Sequence, residues 1–195
     1  MSSHASAARP LVLADLVAAG SRTRDFALVV AGAGFVALSA QVSIPLPFTA
    51  VPLTLQTFAV LLTGAALGWQ RAVPSILLYL LAGAAGLPWF ADGESGTGSP
   101  TFGYIVGFVL AAAVVGRLAG SGADRTPLRT FALMALGSAL IYLVGVPWLA
   151  VALDLSLAEA LADGLIPFLG GDAVKALAAA GLLPGAWRLV GDRTR

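Results

Sequence analysis

The chain contains no cysteine, and its one histidine, His4, lies in a polar N-terminal stretch. The absence of cysteine excludes disulfides, thiolate metal sites and cysteine nucleophiles. With its histidine in the tail, the apolar part of the chain has no side chain for a histidine zinc site or a serine–histidine pair. We therefore expect no metal and no cofactor, and exclude a rhomboid-type intramembrane protease, which needs serine and histidine together.

Charged residues are scarce as well. They make up 11% of the 195 residues, whereas 58% are hydrophobic, and a soluble domain carries about 25% charged residues. This composition predicts an integral membrane protein that lies in a lipid bilayer. The formal net charge of +1 argues against general affinity for nucleic acid.

Long apolar runs are what the sequence has in abundance. Crossing a bilayer core takes about 20 residues in a helix, and on that measure the sequence predicts an all-α membrane protein, a bundle of six transmembrane helices. The predicted segments are Phe26–Val42, Leu53–Gly68, Ala72–Gly86, Phe102–Gly120, Leu128–Ala150 and Ile166–Leu189.

The distribution of charge predicts the orientation of this bundle. With six spans both termini share one side, and every arginine falls on that side; the opposite loops hold acidic residues and no base. By the positive-inside rule both termini are cytoplasmic. We expect a cytoplasmic tail over residues 1–24, with a surface-lying helical turn or disorder rather than a signal peptide. We further expect a transmembrane ligand-binding domain over residues 25–191 and a short cytoplasmic tail over residues 192–195.

Two predicted external loops differ in character. The segment 42–52 has three prolines and no charge, which predicts irregular backbone that covers the outer mouth of the bundle as lid and pocket wall. A loop lying among lipid headgroups is the alternative. The segment 87–101 is polar and glycine-rich, so it is a mobile gate or a slack connector; no Gly-Lys-[Ser/Thr] follows that would make it a phosphate loop.

The only lysine, Lys175, stands three residues after Asp172 in an apolar stretch. Each charge costs roughly 2.5–3.5 kcal/mol at membrane depth, so the pair is a candidate ligand site on one face of the last span. Gly170 and Gly171 allow a sharp turn that makes Asp172 the helix N-cap. The lysine and the helix N-terminus suit a carboxylate, and Asp172 suits N–H donors. The alternative is a capping aspartate paired with a lysine that snorkels to the interface.

Other polar residues of the outer half could complete this pocket: Thr54, Gln56, Tyr104 and Tyr142. For Tyr142, as for Tyr79, a core tyrosine that bonds a backbone carbonyl is the favoured alternative.

Small residues crowd the first span, where Ala27 and Ala31, and then Ala33 and Ala37, stand four apart. Such spacing lets another helix approach closely. The neighbour is a helix of the same bundle or a partner protein.

Five stretches in this order resemble the BioY family, the biotin-specific substrate-binding (S) components of energy-coupling-factor (ECF) transporters. The resemblance covers roughly residues 26–190, and its motifs are Ile44–Pro47, Val51–Thr57, Ala84–Pro88, Pro100–Phe108 and Pro167–Lys175. It implies a six-helix S-component bundle that binds biotin near the external face. It also implies partners, a transmembrane coupling protein and two ATPase subunits, because the chain has no nucleotide-binding motif.

The resemblance implies roles for particular residues. Asp172 and Lys175 would contribute to the biotin site, and the alanines of the first span would dock the coupling protein. Biotin is about 10 Å long, whereas helix positions three apart are separated by about 5–6 Å. The pair therefore grips one end of biotin, or Lys175 reaches the valerate carboxylate while Asp172 holds ureido N–H groups; we favour the latter. Phe102 departs from the family pattern, which often has glycine there, and could tighten the pocket or alter the closure of the preceding loop.

Two other functions stay open at this point. The chain could be an S component for another vitamin, such as thiamine or riboflavin. It could also be a structural or sensory membrane protein without a ligand, in which Lys175 would matter for stability alone.

Overall fold

The computed structural model describes residues 12–16 and 21–191. His4, Arg9, Arg193, Arg195 and the predicted tail 192–195 lie outside the described residues. The helices are α1 (Arg22–Ala40), α2 (Gln56–Leu67), α3 (Trp69–Ala84), α4 (Phe102–Gly120), α5 (Pro127–Leu153), α6 (Leu157–Gly164) and α7 (Leu169–Gly191). Two strands, β1 (Ser43–Ile44) and β2 (Leu53–Thr54), and three 3-10 turns (Leu13–Leu16, Ala91–Gly93 and Ile166–Phe168) complete the described elements.

Each of the six predicted segments coincides with a helix. The bounds of α4 are those expected, and the other bounds shift by up to four residues. The first helix begins at Arg22, inside the predicted tail, because the Ser21 hydroxyl accepts a hydrogen bond from the Arg24 amide and caps it. The helical turn expected in the tail is present over Leu13–Leu16.

A small hairpin is the one departure from helix and irregular backbone among the described residues of this mostly helical fold. Strands β1 and β2 pair antiparallel, with Ser43 opposite Thr54 and Ile44 opposite Leu53. Each strand has only two residues, and the prolines within the enclosed segment lack the N–H that longer pairing needs. The hairpin brings the two ends of segment 42–55 together.

The short helix α6 was not predicted. Eight residues are too few for a membrane span, so the region was interpreted as a loop. Its start carries a capping box: the Ser156 hydroxyl accepts from the Glu159 amide, and the Glu159 carboxylate accepts from the Ser156 amide. Ala160 and Gly164 are buried against the bundle, which fixes the helix on its surface.

Within residues 12–16 and 21–191, four helical stretches are long and apolar enough to cross a membrane. They are Arg22–Ala40, Phe102–Gly120, Pro127–Leu153 and Leu157–Leu189, the last of which combines α6, a 3-10 turn and α7. Helix α2 has 12 residues, about 18 Å at 1.5 Å per residue, which is less than the roughly 30 Å of a bilayer core. The count of six spans therefore stays a prediction.

The helix termini that carry arginines lie together at one end of the bundle. There Arg71, in the first turn of α3, contacts Asp25 of α1 at 2.7 Å and Asp15 of the first 3-10 turn at 2.8 Å. On the same end the indole of Trp187 in α7 donates to Asp124 in the α4–α5 loop at 2.7 Å. We call this the arginine-rich end. The hairpin, α6 and the start of α7 form the opposite, acidic end.

Candidate functional site

A cavity of about 60 Å³ lies at the acidic end, enclosed by the hairpin, α2, α4, α5 and the start of α7. All six residues that the sequence suggested for a ligand site line it: Thr54, Gln56, Tyr104, Tyr142, Asp172 and Lys175. The rest of its wall is Val51, Pro52, Leu53, Thr57, Ala91, Thr101, Phe108 and Phe168. A mostly apolar wall with a few convergent polar groups is typical of small-molecule sites.

The charged pair forms a direct ion pair. Lys175 Nζ lies 3.3 Å from Asp172 Oδ1, and the two side chains are only 15% and 9% exposed. A charge this secluded is stable only with close partners. Lys175 therefore does not snorkel outward; its side chain points into the bundle and contacts Asp172.

The N-cap prediction for Asp172 is wrong. Helix α7 begins at Leu169, so Asp172 lies within its first turn. The preceding 3-10 turn, Ile166–Phe168, starts the helical path early, with Pro167 in its first turn. Gly170 and Gly171 continue the helix rather than break it, and the Asp172 carboxylate is free to contact side chains of other helices.

Tyr142 is one of these contacts, and the favoured expectation for it was wrong. Its hydroxyl donates to Asp172 Oδ2 at 2.6 Å, a charge-assisted hydrogen bond rather than one to a backbone carbonyl. For Tyr79 the backbone interpretation is confirmed, since its hydroxyl donates to the Trp89 carbonyl at 3.5 Å. It also accepts from Gln56 Nε2 at 2.7 Å.

The remaining polar wall is held in place by contacts inside the protein. Thr54 donates to Gln56 Oε1 at 3.1 Å, and the Gln56 amide group is fixed at its other end by Tyr79. Tyr104 donates to the Gly164 carbonyl of α6 at 2.9 Å. The cavity wall is thus pre-organised before any ligand enters.

Sequence reasoning missed two polar residues of the cavity wall, Thr101 and Thr57, of which Thr57 contacts the charged pair. Its hydroxyl accepts from Lys175 Nζ at 2.8 Å and lies 3.4 Å from Asp172 Oδ1. The available signal was its position one residue after Gln56 at the start of an apolar helix. The aromatic walls Phe108 and Phe168 were also missed, because a phenylalanine in an apolar span gives no sequence signal of its own.

The proline-rich segment 42–52 is a wall of the cavity, as one of its two interpretations required. Val51 and Pro52 line the cavity, and the Thr49 hydroxyl donates to the Asp163 carbonyl of α6 at 2.9 Å. Part of the loop still faces outward, since Phe48 is 61% exposed.

The second loop, 87–101, is anchored rather than slack. Phe90 is buried and packs edge-on against Tyr79 with ring centroids 5.3 Å apart, and the Gly96 amide donates to the Gly83 carbonyl at 2.8 Å. Phe102 lies at 6.4 Å from the Phe90 ring and 5.6 Å from the Trp148 ring. It is not among the cavity-lining residues, so it acts on the packing beneath the loop rather than on the cavity directly.

The four alanines of α1 divide between two environments. Ala33 and Ala37 are buried within the bundle, whereas Ala27 and Ala31 are exposed. Ala31 lines a separate apolar groove of about 420 Å³ between α1, α2 and α7. Its other walls are Leu28, Gly32, Phe35, Leu62, Thr63, Ala66, Leu67, Leu182, Leu183 and Ala186. The inner pair thus serves packing within the bundle.

The fold is that of a substrate-binding component of a membrane transporter. It matches a solved chain described as the S-component for biotin from an ECF-type ABC transporter, with a TM-score of 0.77 over 85% of this chain and 92% of that chain. The two sequences are 21% identical, so this likeness concerns the fold alone.

Sequence relatives define the family. A protein named biotin transporter BioY from Rhizobium etli and one named probable biotin transporter BioY from Pyrococcus horikoshii are each 35% identical to this chain. The alignments cover 81% of it and 90% and 93% of those proteins. A BioY from Thermotoga maritima is also 35% identical, over 74% of this chain and 85% of its own. The BioY family model matches residues 8–192, and the chain belongs to the BioY family.

Proposed function

We propose that the protein captures biotin in the cavity at its acidic end and mediates biotin uptake as the S component of an ECF-type transporter. The observation that carries the proposal is the convergence of Asp172, Lys175 and six further polar residues on one cavity in a chain of the BioY family. The protein is a multi-pass membrane protein of the bacterial cytoplasmic membrane. It performs no chemistry on its ligand itself.

The ion pair favours one arrangement of biotin over the other. Since Nζ and Oδ1 are 3.3 Å apart, they meet the same end of a molecule about 10 Å long, being neighbours on one helix face. A carboxylate beside Lys175 would also meet the negative Asp172, and like charges this close repel. A neutral cyclic urea offers N–H donors next to a carbonyl acceptor. Its N–H groups can donate to Asp172 while its carbonyl accepts from Lys175, and we therefore place the ureido ring of biotin at this pair.

The 60 Å³ cavity is smaller than the roughly 300–1,000 Å³ of typical ligand pockets. Entry of biotin therefore requires a wall to move. Segment 42–52 is the wall we assign to this movement. The segment is held by a two-residue strand at each end, by the Thr49 contact with α6, and by the packing of Leu46 and Val51 against the core.

The membrane arrangement extends the same proposal. Six helices cross the bilayer within a domain spanning 25–191, and the arginine-rich end faces the cytoplasm, which places the cavity at the external face. ATP hydrolysis would come from two ATPase subunits through a transmembrane coupling protein, since the chain carries no nucleotide-binding loop. The groove that contains Ala31 is the docking surface we assign to that coupling protein.

Isothermal titration of biotin into detergent-purified protein tests the function. Lys175→Ala removes the donor at the ureido end, and Leu177→Ala, a lipid-facing position on the same helix that is 63% exposed, serves as its control. We expect tight binding by the parent and by Leu177→Ala, and a loss of at least tenfold in Lys175→Ala. Binding that is equal in all three would keep the function and move the site. Absence of biotin binding in the parent, with thiamine or riboflavin bound instead, would overturn the biotin assignment.

A further inference from the structure

We propose that the Thr57 hydroxyl is a positioning group that fixes the charged pair and thereby determines which ligand end the cavity accepts. The inference rests on the proposed biotin function. Thr57 lies in the first turn of α2 and reaches across to α7, where its oxygen is 2.8 Å from Lys175 Nζ and 3.4 Å from Asp172 Oδ1. Together with the 3.3 Å ion pair, these contacts close a triangle of three polar groups.

In this triangle the donor and the acceptor of each hydrogen bond made by the Thr57 hydroxyl are determined. A lysine ammonium donates only, and an ionised carboxylate accepts only, so Thr57 accepts from Lys175 and donates to Asp172. A threonine in a helix is restricted to two χ1 rotamers, and the contacts with Lys175 and Asp172 hold the Thr57 oxygen in one of them. The hydroxyl therefore orients both charges at once.

The other oxygen of Asp172 is fixed independently. Tyr142 donates to Oδ2 at 2.6 Å, so the carboxylate is held from α5 on one side and from α2 on the other. Two of the three N–H donors of Lys175 are used by Thr57 and Asp172. The ammonium lines the cavity, and its third donor is the one available to a ligand acceptor.

A second cavity lies on the other side of the charged pair, and we infer that the Thr57 hydroxyl keeps the Lys175 ammonium from turning toward it. A space of about 10 Å³ lies behind the pair and is lined by Thr57, Phe58, Leu61, Met134, Ser138, Asp172, Lys175 and Ala176. Thr57, Asp172 and Lys175 line both spaces and so form the partition between them. Without the Thr57 hydroxyl the ammonium could turn toward the inner space, where Ser138 offers another acceptor.

The consequence concerns ligand choice. A fixed donor beside a fixed acceptor suits a neutral urea, whereas a guanidinium at the same place would set a second cation against the ammonium. We therefore expect the parent protein to prefer biotin strongly over 2-iminobiotin, in which a protonated guanidinium replaces the urea at neutral pH. When the ammonium can turn away, this preference falls.

The experiment is titration of biotin and 2-iminobiotin at pH 7 into the parent, Thr57→Val, Thr57→Ala and Thr57→Ser. Thr130→Val is the matched control, because its hydroxyl bonds the Thr126 carbonyl at the start of α5, at the arginine-rich end of the bundle. We expect Thr57→Val and Thr57→Ala to lose at least tenfold in biotin affinity and less for 2-iminobiotin, so that the ratio of the two affinities drops. Thr57→Ser, which keeps the hydroxyl, and Thr130→Val should retain the parent ratio.

Equal losses for both ligands would show a merely structural role for Thr57 and overturn the proposal, as would unchanged biotin affinity in Thr57→Val and Thr57→Ala. A serine variant that behaves like the valine variant would overturn it too, since the hydroxyl would then not be the cause. Failure of the parent to bind biotin is a different result, because it removes the biotin function itself.

Discussion

At the scale of single residues, Tyr142 and Tyr104 form a natural comparison. Both are buried tyrosines with ring centroids 6.3 Å apart. Tyr142 donates to the Asp172 carboxylate and Tyr104 to a backbone carbonyl. A hydrogen bond to a charged group contributes about 1.5–3 kcal/mol, whereas neutral ones in membrane proteins average about 0.6 kcal/mol. The two phenylalanine variants therefore separate charge-assisted from ordinary hydrogen bonding.

We expect Tyr142→Phe to lower the free energy of unfolding by about 1.5–3 kcal/mol and Tyr104→Phe by about 0.6 kcal/mol, since each loses one hydroxyl and nothing else. Thermal unfolding in detergent, with both variants and the parent in the same buffer, measures the difference. Equal losses in the two variants would mean that the bond from Tyr142 to the Asp172 carboxylate is no stronger than the bond from Tyr104 to a backbone carbonyl.

Some residues of the site could be predicted from the sequence, and others could not. Asp172 and Lys175 were identifiable because charge is rare in an apolar helix and expensive to keep there. The partners of Asp172 were not, because the contact with Tyr142 joins residues 30 apart and the contact with Thr57 joins residues 115 apart. Such pairings depend on how helices face each other, which hydrophobic periodicity alone leaves open.

At the scale of elements, helix α4 lies unusually close to the α2–α3 junction. A Cβ added at Gly116 would stand 2.4 Å from the Trp69 amide nitrogen and 2.8 Å from its Cα. Backbone cannot move aside as a flexible side chain can, so the contact requires a residue without Cβ.

Gly116→Ala should therefore destabilise the protein by about 1–3 kcal/mol or more. Gly181→Ala is its control, since a Cβ there meets no atom of the described chain within 4 Å and alanine favours the helix by about 0.5–1 kcal/mol. Melting temperatures in detergent should move in opposite directions for the two variants. A Gly116→Ala protein as stable as the parent would contradict this close approach of α4.

The segment 42–52 is the element that we propose moves to admit biotin. Because the chain has no cysteine, the paired substitution Thr49→Cys and Asp163→Cys can be cross-linked by a short bifunctional thiol reagent without side reactions at other cysteines. Cross-linking before biotin is added should block binding, and cross-linking afterwards should trap bound biotin. The two single-cysteine variants treated with the same reagent are the controls. Rapid, full binding by the pre-linked protein would show that biotin enters by another route.

The elements themselves were predictable where length and apolarity agreed, as in α4. They were not where a segment is short: α6 has eight residues and each strand two. Such pieces are stabilised by contacts rather than by propensity. The Thr49 contact with the Asp163 carbonyl of α6 illustrates this, since no sequence pattern indicates that these two segments lie together.

At the scale of the whole molecule, the proposed ligand cavity and the proposed docking groove are separate surfaces. The cavity lies at the acidic end, and the groove that contains Ala31 lies on the side of the bundle between α1, α2 and α7. No residue lines both. A substitution in the groove can therefore disrupt assembly while leaving biotin binding intact.

Ala31→Trp tests this separation. Ala31 is exposed, so an indole there fills the groove without entering the core, whereas Ala33 is 1% exposed and its replacement by tryptophan should prevent folding. We expect Ala31→Trp to bind biotin like the parent but not to co-purify with a co-expressed coupling protein and its ATPases. Leu143→Trp, on α5 and 66% exposed, adds the same ring to a lipid-facing site and should leave both properties unchanged.

If Ala31→Trp still assembles with the coupling protein, the groove is not the docking surface. Loss of biotin binding in that variant would instead show that groove and cavity are mechanically joined through α2 and α7, the two helices that contribute walls to both.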